Sequence, residues 1–407
     1  MTLQRKPAPV SNPCDLQIEL FCRGARIDDD DSRSDDDSSR GRGIHRARAG
    51  LGSGLDVVIA GSPRPVWVNV PVTEPFAALS PFVLRPGELI DERDGRRWAV
   101  ELPEAPAWYE RTTESGRRMS EIGLLQGTYL GIYIGPACAY WHGDAKLACQ
   151  FCTTGRNVTG EPATVAEVVE TARAAKAESN VTFVHLNTGY QAGRAAEMVA
   201  PFVEALKRDV GVLVGVQIAP EADEAEFDRL LALGTDHFSF CYEIHDPQRF
   251  AEICPGKTMT LGQSAFFDAL RYCQSKRPRG ACSGEIIAGL EPVESTMKAI
   301  DFITSLGAFP TVCIFRPLAG SALEHEPPPS VDDMRRVMRH LWRSCRDAGI
   351  PIGMAPNLEV SLVVQPTDTA YLSDRGWRDS LYRARLAALR PLARWKLRRA
   401  IQPRRAR

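Results

Sequence analysis

The stretch GTYLGIYIGPACAYWHGDAKLACQFC, residues 127–152, joins a strand-like run to a loop that carries three cysteines. Tyrosine, isoleucine and leucine within 127–135 favour a buried strand. Cys138, Cys149 and Cys152 follow this run, so they are expected on the loop at its carboxyl end. In parallel α/β folds the carboxyl ends of the strands carry the chemistry. The stretch therefore predicts a strand that presents three thiols to a functional site.

Five further apolar runs follow along the chain, and helical patterns separate them. The runs are VTFVHLN (181–187), VLVGVQIA (212–219), HFSFCYE (237–243), CSGEIIAGL (282–290) and PTVCIFRP (310–317). Thr164 opens a capping box for one intervening helix, and Gly234 is typical of the end of another. Six strands alternating with helices predict a parallel sheet, in an open barrel or in a doubly wound arrangement. We predict an α/β fold with a partial (β/α)6 TIM-type barrel.

The region before this core has a different pattern. Residues 55–72 predict a β-hairpin, and residues 78–102 repeat the pattern around the turn dipeptide Asp94-Gly95. Residues 28–50 are acidic and then basic, with almost no apolar side chains. Such a segment buries too little surface to offset its ordering entropy, so a disordered insertion is predicted there. Residues 1–120 are therefore predicted to form a small β-rich N-terminal domain.

The core is predicted to span residues 121–330, and a C-terminal extension to span 331–407. Ser330 is a helix-capping residue at the start of this extension. The run NLEVSLVV at 357–364 predicts an additional strand. Residues 375–407 carry twelve Lys or Arg and one acidic residue, with leucine and tryptophan interspersed. This composition predicts a basic amphipathic helix, which either packs on the barrel or docks onto a partner or an anionic membrane.

Composition narrows the class of protein. The 407 residues are 44% hydrophobic and 25% charged, with a formal net charge of −1, which argues against bulk attraction to nucleic acid or membrane. The sequence predicts no transmembrane helix and no secretory leader, so the cytoplasm is the expected location. Cys241, Cys273 and Cys313 lie in apolar runs and are expected to be core thiols.

The spacing C138-X10-C149-X2-C152 is the strongest chemical signal in the chain. Three thiolates that hold a [4Fe–4S] cluster leave one iron without a protein ligand, and that iron can bind a cofactor. Alternatives are a zinc site completed by His142, a redox-active CxxC pair, and three thiols without a metal. The position of the loop at a strand end favours the cluster.

The cysteine loop resembles that of the radical SAM superfamily, over roughly residues 120–325. The commonest form of the motif has three residues between the first two cysteines, and this chain has ten. Phe151 matches the aromatic residue that packs beside the adenine in that superfamily. The resemblance implies S-adenosyl-L-methionine (SAM) and a [4Fe–4S] cluster as cofactors. It also implies a small-molecule substrate and an electron donor such as flavodoxin or ferredoxin.

The same resemblance implies further cofactor-binding residues at strand ends. Asn187, Thr188 and Gly189 stand where the superfamily usually has Gly-Gly-Glu against the methionine amino group. The other implied residues are Glu243 for methionine or ribose, Ile287 and Gly289 for the adenine, and Arg316 at the end of the sixth strand. Each has a structural alternative: a turn glycine, a salt-bridged strand end, or an arginine paired with a structural carboxylate. Lys257 is expected to be a surface lysine.

A narrower resemblance joins CAYW…CQFC, NTG, Pro255–Lys257 and FRPLAGS. This combination is similar to radical SAM proteins encoded in nitrilase-associated gene clusters, and it implies no substrate. The first functional hypothesis is a radical SAM enzyme. The second is a non-catalytic zinc- or iron–sulfur-binding scaffold. The third is a barrel hydrolase or lyase that uses Glu243, Glu285 and histidines.

Overall fold

The structure is a computed structural model that describes residues 10–28, 54–61, 64–142, 147–158 and 161–402. Nearly all of the predicted insertion at 28–50 lies outside the described residues. So do the side chain of His142 and the middle of the cysteine loop. The prediction of disorder and the zinc alternative through His142 therefore stay predictions.

The N-terminal part forms a six-stranded sheet with one helix packed on it. Its elements are α1 (Pro13–Arg23), β1 (Arg26–Ile27), β2 (Leu55–Ile59), β3 (Val66–Val70), β4 (Phe82–Arg85), β5 (Glu88–Asp91) and β6 (Arg96–Glu101). The strand order is β1-β4-β5-β6-β2-β3. The predicted hairpin is confirmed as β2 and β3, where Val57 pairs antiparallel with Val68. Gly95 turns the chain between β5 and β6 with a positive φ of 72°, which glycine adopts without strain.

The second sheet contains seven strands in the described part. They are β7 (Leu124–Gln126), β8 (Tyr129–Tyr133), β9 (Phe183–Gly189), β10 (Leu213–Ile218), β11 (His237–Glu243), β12 (Cys282–Ala288) and β13 (Phe309–Ile314). Their order in space is their order in the chain, and β8 to β13 are all parallel. Right-handed crossovers in one direction place every helix on the same face, so the sheet curls around its other face. The partial (β/α)6 barrel is thus confirmed over the doubly wound sheet.

Helices connect these strands. They are α2 (Met119–Ile122), α3 (Ala139–His142), α4 (Thr154–Asn157), α5 (Val165–Ser179), α6 (Ala195–Ala205), α7 (Glu224–Leu233), α8 (Pro247–Ile253), α9 (Pro255–Thr260), α10 (Gly262–Ser275) and α11 (Val293–Ser305). The longer helices α5, α6, α10 and α11 pack on the sheet, whereas the short α3, α4 and α9 lie near the carboxyl ends of the strands. The predicted capping box is present, because Thr164 and Glu167 each bond the other's backbone amide at the start of α5. Gly234 ends α7 in the left-handed conformation, as predicted. No helix in the described ranges is long and apolar enough to cross a membrane.

The C-terminal extension contains α12 (Val331–Asp347) and α13 (Trp377–Ala400). The predicted strand at 357–364 is wrong, because this segment forms turns. Its backbone bonds to both sheets: the carbonyl of Ser361 accepts from the amide of Asn69 at 2.8 Å, and that of Glu359 accepts from the amide of Thr128 at 3.0 Å. Its apolar residues alternate because they pack between the two sheets. Packing of this kind does not require the segment to pair as a strand.

Candidate functional site

A cavity of about 840 Å³ lies inside the curled sheet. All six parallel strands line it with residues at or near their carboxyl ends. Representative lining residues, in strand order, are Tyr133, Asn187, Gln217, Glu243, Glu285 and Cys313. Val360, Leu362 and Val363 from the segment between the two sheets also line it. The volume is in the range of pockets that enclose small molecules and cofactors.

Cys138, Cys149 and Cys152 line this cavity together. The Sγ of Cys138 accepts from the amide of Tyr190, which follows β9, at 3.4 Å. The neighbouring backbone adds a second bond, from the amide of Ala139 to the carbonyl of Tyr190 at 2.9 Å. The end of β9 therefore holds the first cysteine in place.

Gly189 is the residue that permits this close approach. A β-carbon there would lie 2.8 Å from the Cβ of Cys138 and 2.9 Å from the hydroxyl of Tyr133. Its φ of 60° also lies in the region that favours glycine. Any larger residue would push the cysteine loop away from β9.

The other two cysteines lie on a turn that is tied to the barrel by its backbone. The amide of Gln150 donates to Ile253 and its carbonyl accepts from Ala322, both at 2.9 Å. The Sγ of Cys152 lies 3.1 Å from the hydroxyl of Thr154 and 3.4 Å from the amide of Thr154. These contacts connect the loop to segments that follow β11 and β13.

The three thiols are close enough to affect one another's charge. Burial raises the pKa of Cys138, and the neighbouring Cys149 raises it further. A hydrogen bond with Cys254 and then burial raise the pKa of Cys149 well above its usual range. Burial raises the pKa of Cys152 to about 11, with contributions from both other cysteines. These thiols are therefore expected to be neutral unless a cation or metal centre binds beside them.

Within the described residues, no three His, Cys, Asp or Glu side chains are grouped closely enough to hold a single metal ion. A tetrahedral zinc site requires thiolate sulfurs about 2.3 Å from one centre. A four-iron cluster takes its thiolates on separate irons, which spaces the sulfurs more widely. The soft donor set and its position on a roomy cavity are suited to such a cluster.

Lys257 and Glu243 form an ion pair in the cavity, with Nζ and Oε1 at 2.8 Å and each side chain 13% exposed. Burial alone would lower the pKa of Lys257, but Glu243 and the nearby thiols raise it well above its usual range. The expectation of a surface lysine is wrong, because α9 packs directly against the cysteine loop. Gly256 allows this packing, since a β-carbon there would lie 2.5 Å from the carbonyl of Leu147.

Glu243 also has an unusual backbone. Its φ is 69°, which is rare for a residue other than glycine, and the pairing of β11 with β12 shifts register beside it. Backbone strain of this kind concentrates at functional sites. The strained end of β11 directs the carboxylate toward Lys257 instead of continuing the regular strand.

Polar side chains along the cavity wall form a hydrogen-bonded network that the sequence alone did not predict. The thiol of Cys241 donates to Glu285 at 2.6 Å, and the amide of Gln217 donates to both the carboxylate of Glu285 and the sulfur of Cys241. The side-chain amide of Asn187 donates in turn to Gln217. Burial raises the pKa of Glu285 to about 7, and Glu243 contributes to the rise. Cys241 is thus a cavity thiol and not the core thiol that we expected.

The sequence contains a hint of this hydrogen-bonded network of Asn187, Gln217, Cys241 and Glu285. Asn187, Gln217 and Glu285 are polar residues near the carboxyl ends of otherwise apolar strands. Neighbouring strands pair Asn187 with Gln217 and Cys241 with Glu285, which puts them in adjacent positions. Without the register, their proximity was not predictable.

The predicted cofactor residues fall into two groups. Those that line the cavity are Phe151, Asn187, Gly189, Glu243 and Ile287. Thr188 is buried behind the wall, where its hydroxyl donates to the carbonyl of Gly189 at 2.8 Å. Gly289 packs against Pro329 and Phe315, with a φ of 105°. Neither Thr188 nor Gly289 is among the described residues that line the cavity. Thr188 alternates along β9 with Asn187 and Gly189, so its side chain points to the opposite face. Gly289 lies beyond the end of β12, where its positive φ turns the backbone out of the strand.

Arg316 also lies away from the described residues that line the cavity, so its predicted cofactor role stays a prediction, while its contacts favour a structural role. It is buried, and its guanidinium donates to the side-chain and backbone oxygens of Asn69, each at 2.9 Å. It also lies over the ring of Phe21, 4.8 Å from the ring centre. Arg316 therefore connects β13 to the N-terminal sheet and α1.

Comparison with known proteins gives partial matches. No family profile matches the chain. A bacteriochlorophyllide c C-7(1)-hydroxylase from Chlorobaculum limnaeum is 25% identical over 138 residues, which are 33% of this chain and 34% of the relative. The matched stretch thus spans about a third of the length of that relative.

Solved structures with a partly similar chain course include two further enzymes. Methylornithine synthase is 16% identical with a TM-score of 0.43, and the match covers 65% of this chain and 80% of that one. A radical SAM methyltransferase from Sphaerobacter thermophilus is 16% identical with a TM-score of 0.43, over 62% of this chain and 77% of that one.

Proposed function

We propose that this chain is a radical SAM enzyme in which Cys138, Cys149 and Cys152 hold a [4Fe–4S] cluster. The observation that carries the proposal is the position of three mutually interacting thiols on one cavity inside a half-barrel. When bound, the reduced cluster supplies the electron that splits SAM into methionine and a 5′-deoxyadenosyl radical, which abstracts hydrogen from a substrate. An electron donor such as flavodoxin or ferredoxin would reduce the cluster.

The residues around the thiols are suited to the polar parts of SAM. Lys257 provides a cation beside Cys149, where it can attract the methionine carboxylate. Glu243 provides an anion for the methionine ammonium or for ribose hydroxyls, and the two side chains are already paired at 2.8 Å. When SAM binds, Lys257 would exchange Glu243 for the methionine carboxylate, and Glu243 would exchange Lys257 for the methionine ammonium. SAM binding would therefore not leave an unpaired buried charge.

The apolar parts of the cavity are suited to the adenosine and to shielding. Phe151 is buried next to Cys152, and Ile287 lines the cavity from strand β12. Apolar walls exclude water, which protects a reactive carbon radical from side reactions. The hydrogen-bonded side chains of Glu285, Cys241 and Gln217 make one wall of the cavity polar. A small-molecule substrate with hydrogen-bonding groups would bind at this wall.

The cysteines are tested by anaerobic reconstitution with iron and sulfide. We expect about four irons per chain and a brown protein that releases 5′-deoxyadenosine from SAM and dithionite. Replacing Cys138, Cys149 and Cys152 together by alanine should abolish iron binding. Cys273→Ala is the matched control, because Cys273 is a buried thiol on the inner face of α10 and its loss should leave the iron content unchanged.

Two outcomes would contradict the proposal in different ways. A colourless protein with one zinc per chain would identify the thiols as a zinc scaffold. A brown protein that binds iron through these cysteines, yet neither binds nor cleaves SAM, would be a non-catalytic iron–sulfur scaffold. Full iron loading in the triple variant would show that other residues hold the metal.

A further inference from the structure

The last helix of the described part, α13, has two apolar faces. Tyr382 and Leu386 are buried against the rest of the protein. The opposite face carries four large apolar side chains that remain exposed. Their exposed fractions are 76% for Trp377, 63% for Leu381, 64% for Leu392 and 53% for Trp395. A helix that packs only on its own domain needs one apolar face, so the outer face requires a separate explanation.

The four exposed residues form one continuous stripe. They are separated by four, eleven and three positions, which correspond to about one, three and one turns of helix. Ala384 and Ala388 lie on the same line between them and are also exposed. The stripe therefore runs nearly the full length of Trp377–Ala400. Contiguous apolar patches with a polar rim mark sites of contact with proteins or membranes.

The rim of this stripe is strongly basic. The sequence of α13 contains eight Lys or Arg and a single acidic residue, Asp379. Asp379 is buried, where it accepts from the indole of Trp342 and from the guanidinium of Arg346, both at 2.8 Å. The charge that α13 shows to its surroundings is therefore entirely positive. The guanidinium of Arg399 even lies 3.7 Å from the ring centre of Trp395 on the stripe.

The inner contacts keep this face directed outward. Tyr382 donates to the carbonyl of Ile350 and packs with its ring 5.1 Å from that of Trp342. At the other end, Lys176 and Lys207 donate to the carbonyls of Ile401 and Ala400, at 3.0 and 3.4 Å. Cations at the carboxyl end of a helix also stabilise its dipole. Because both ends are attached, the stripe cannot turn inward to cover itself.

We propose that the outer face of α13 binds the surface of an anionic membrane, with the helix lying in the plane of the interface. Tryptophan and leucine enter the boundary between head groups and acyl chains, while flanking arginine and lysine contact anionic lipids. A second copy of this chain is disfavoured as the occupant, because pairing two such faces would bring sixteen basic side chains together, eight from each helix. This inference does not depend on the proposed radical chemistry.

Vesicle flotation of the full chain tests the proposal. We expect binding to vesicles of phosphatidylcholine and phosphatidylserine, weaker binding at high salt, and little binding to phosphatidylcholine alone. Replacing Trp377 and Trp395 by serine should weaken binding at least about tenfold, because their apolar burial is lost. Leu79→Ser is the control, since Leu79 is 88% exposed but lies on the N-terminal unit.

A second pair of variants isolates the charge. Arg394→Gln with Arg398→Gln should weaken binding about 25-fold, at about fivefold for each basic side chain near an anionic surface. The charge-matched control is Arg229→Gln with Arg271→Gln on α7 and α10, which should bind as the unchanged protein does. All of these positions are exposed, so unchanged thermal unfolding curves verify that each variant folds.

Three results would overturn the inference. The first is no binding to anionic vesicles, and the second is equal binding to neutral and anionic ones. The third is a dimer in sedimentation velocity that Trp377→Ser with Trp395→Ser converts to a monomer, which would show that a second copy covers the stripe.

Discussion

Replacing Arg316 by methionine tests whether this residue holds the two units of the fold together. The guanidinium is buried and makes two hydrogen bonds to Asn69 and a cation–π contact with Phe21. Methionine keeps much of the apolar stem but removes every polar contact. The acceptor oxygens of Asn69 then lose their charged donor in a place that water does not reach easily.

The expected loss of stability follows from these contacts. A hydrogen bond to a charged group contributes about 1.5–3 kcal/mol, and a cation–π contact that is shielded from water contributes about 2 kcal/mol. These contacts share one guanidinium and are not additive, so we expect a combined loss of about 3–5 kcal/mol in the free energy of unfolding, as for the removal of one partner of a buried charged pair. Arg316→Lys retains one donor and should lose about half as much.

Urea unfolding, followed by far-ultraviolet circular dichroism, measures this loss. The matched control is Arg336→Met, which removes an exposed guanidinium paired with Glu294 and Asp333 and should cost less than about 1 kcal/mol. If Arg316→Met kept nearly full stability and instead abolished SAM binding, Arg316 would be a cofactor residue and our structural assignment would be wrong.

Three further predictions concern the cavity. Burial raises the pKa of Glu285 to about 7, so folding stability should fall as pH rises from about 4.5 to about 7, and Glu285→Gln should remove up to about 3 kcal/mol of this fall in unfolding experiments. Gly189→Ala should lower the iron content after reconstitution, because its β-carbon displaces Cys138, whereas Gly193→Ala has a similar positive φ with nothing near it and should not. Lys257→Met should weaken SAM binding at least about tenfold in equilibrium dialysis with unchanged iron content, because it removes the cation near the cysteines.

Controls separate these effects from general damage. Glu252→Gln changes an exposed carboxylate and should leave the pH dependence of stability intact. Lys276→Met removes an exposed lysine paired with Asp228 and should leave SAM binding intact. A pH profile that stays the same in Glu285→Gln, equal iron contents in the two glycine variants, or full SAM affinity in Lys257→Met would each refute the corresponding argument.

The strands, the caps and the cysteine loop were predictable because local sequence controls them. The apolar runs at 237–243 and 282–290 matched β11 and β12 to within two residues. Capping at Thr164 and the left-handed glycine at 234 depend on side chains within a few positions. Local patterning failed at 357–364, where apolar alternation reflects burial between two units and does not reflect strand pairing.

The sequence by itself determined an α/β chain of alternating strands and helices, with three thiols after the first parallel strand. Only the tertiary structure decided that the sheet curls into a half-barrel, since spatial strand order is a property of the whole sheet. It also placed Lys257 and Cys241 on the cavity and Arg316 between the units. The residues that these side chains contact are far away in the sequence. Strand register and crossover direction bring them together, and no local sequence pattern encodes either property.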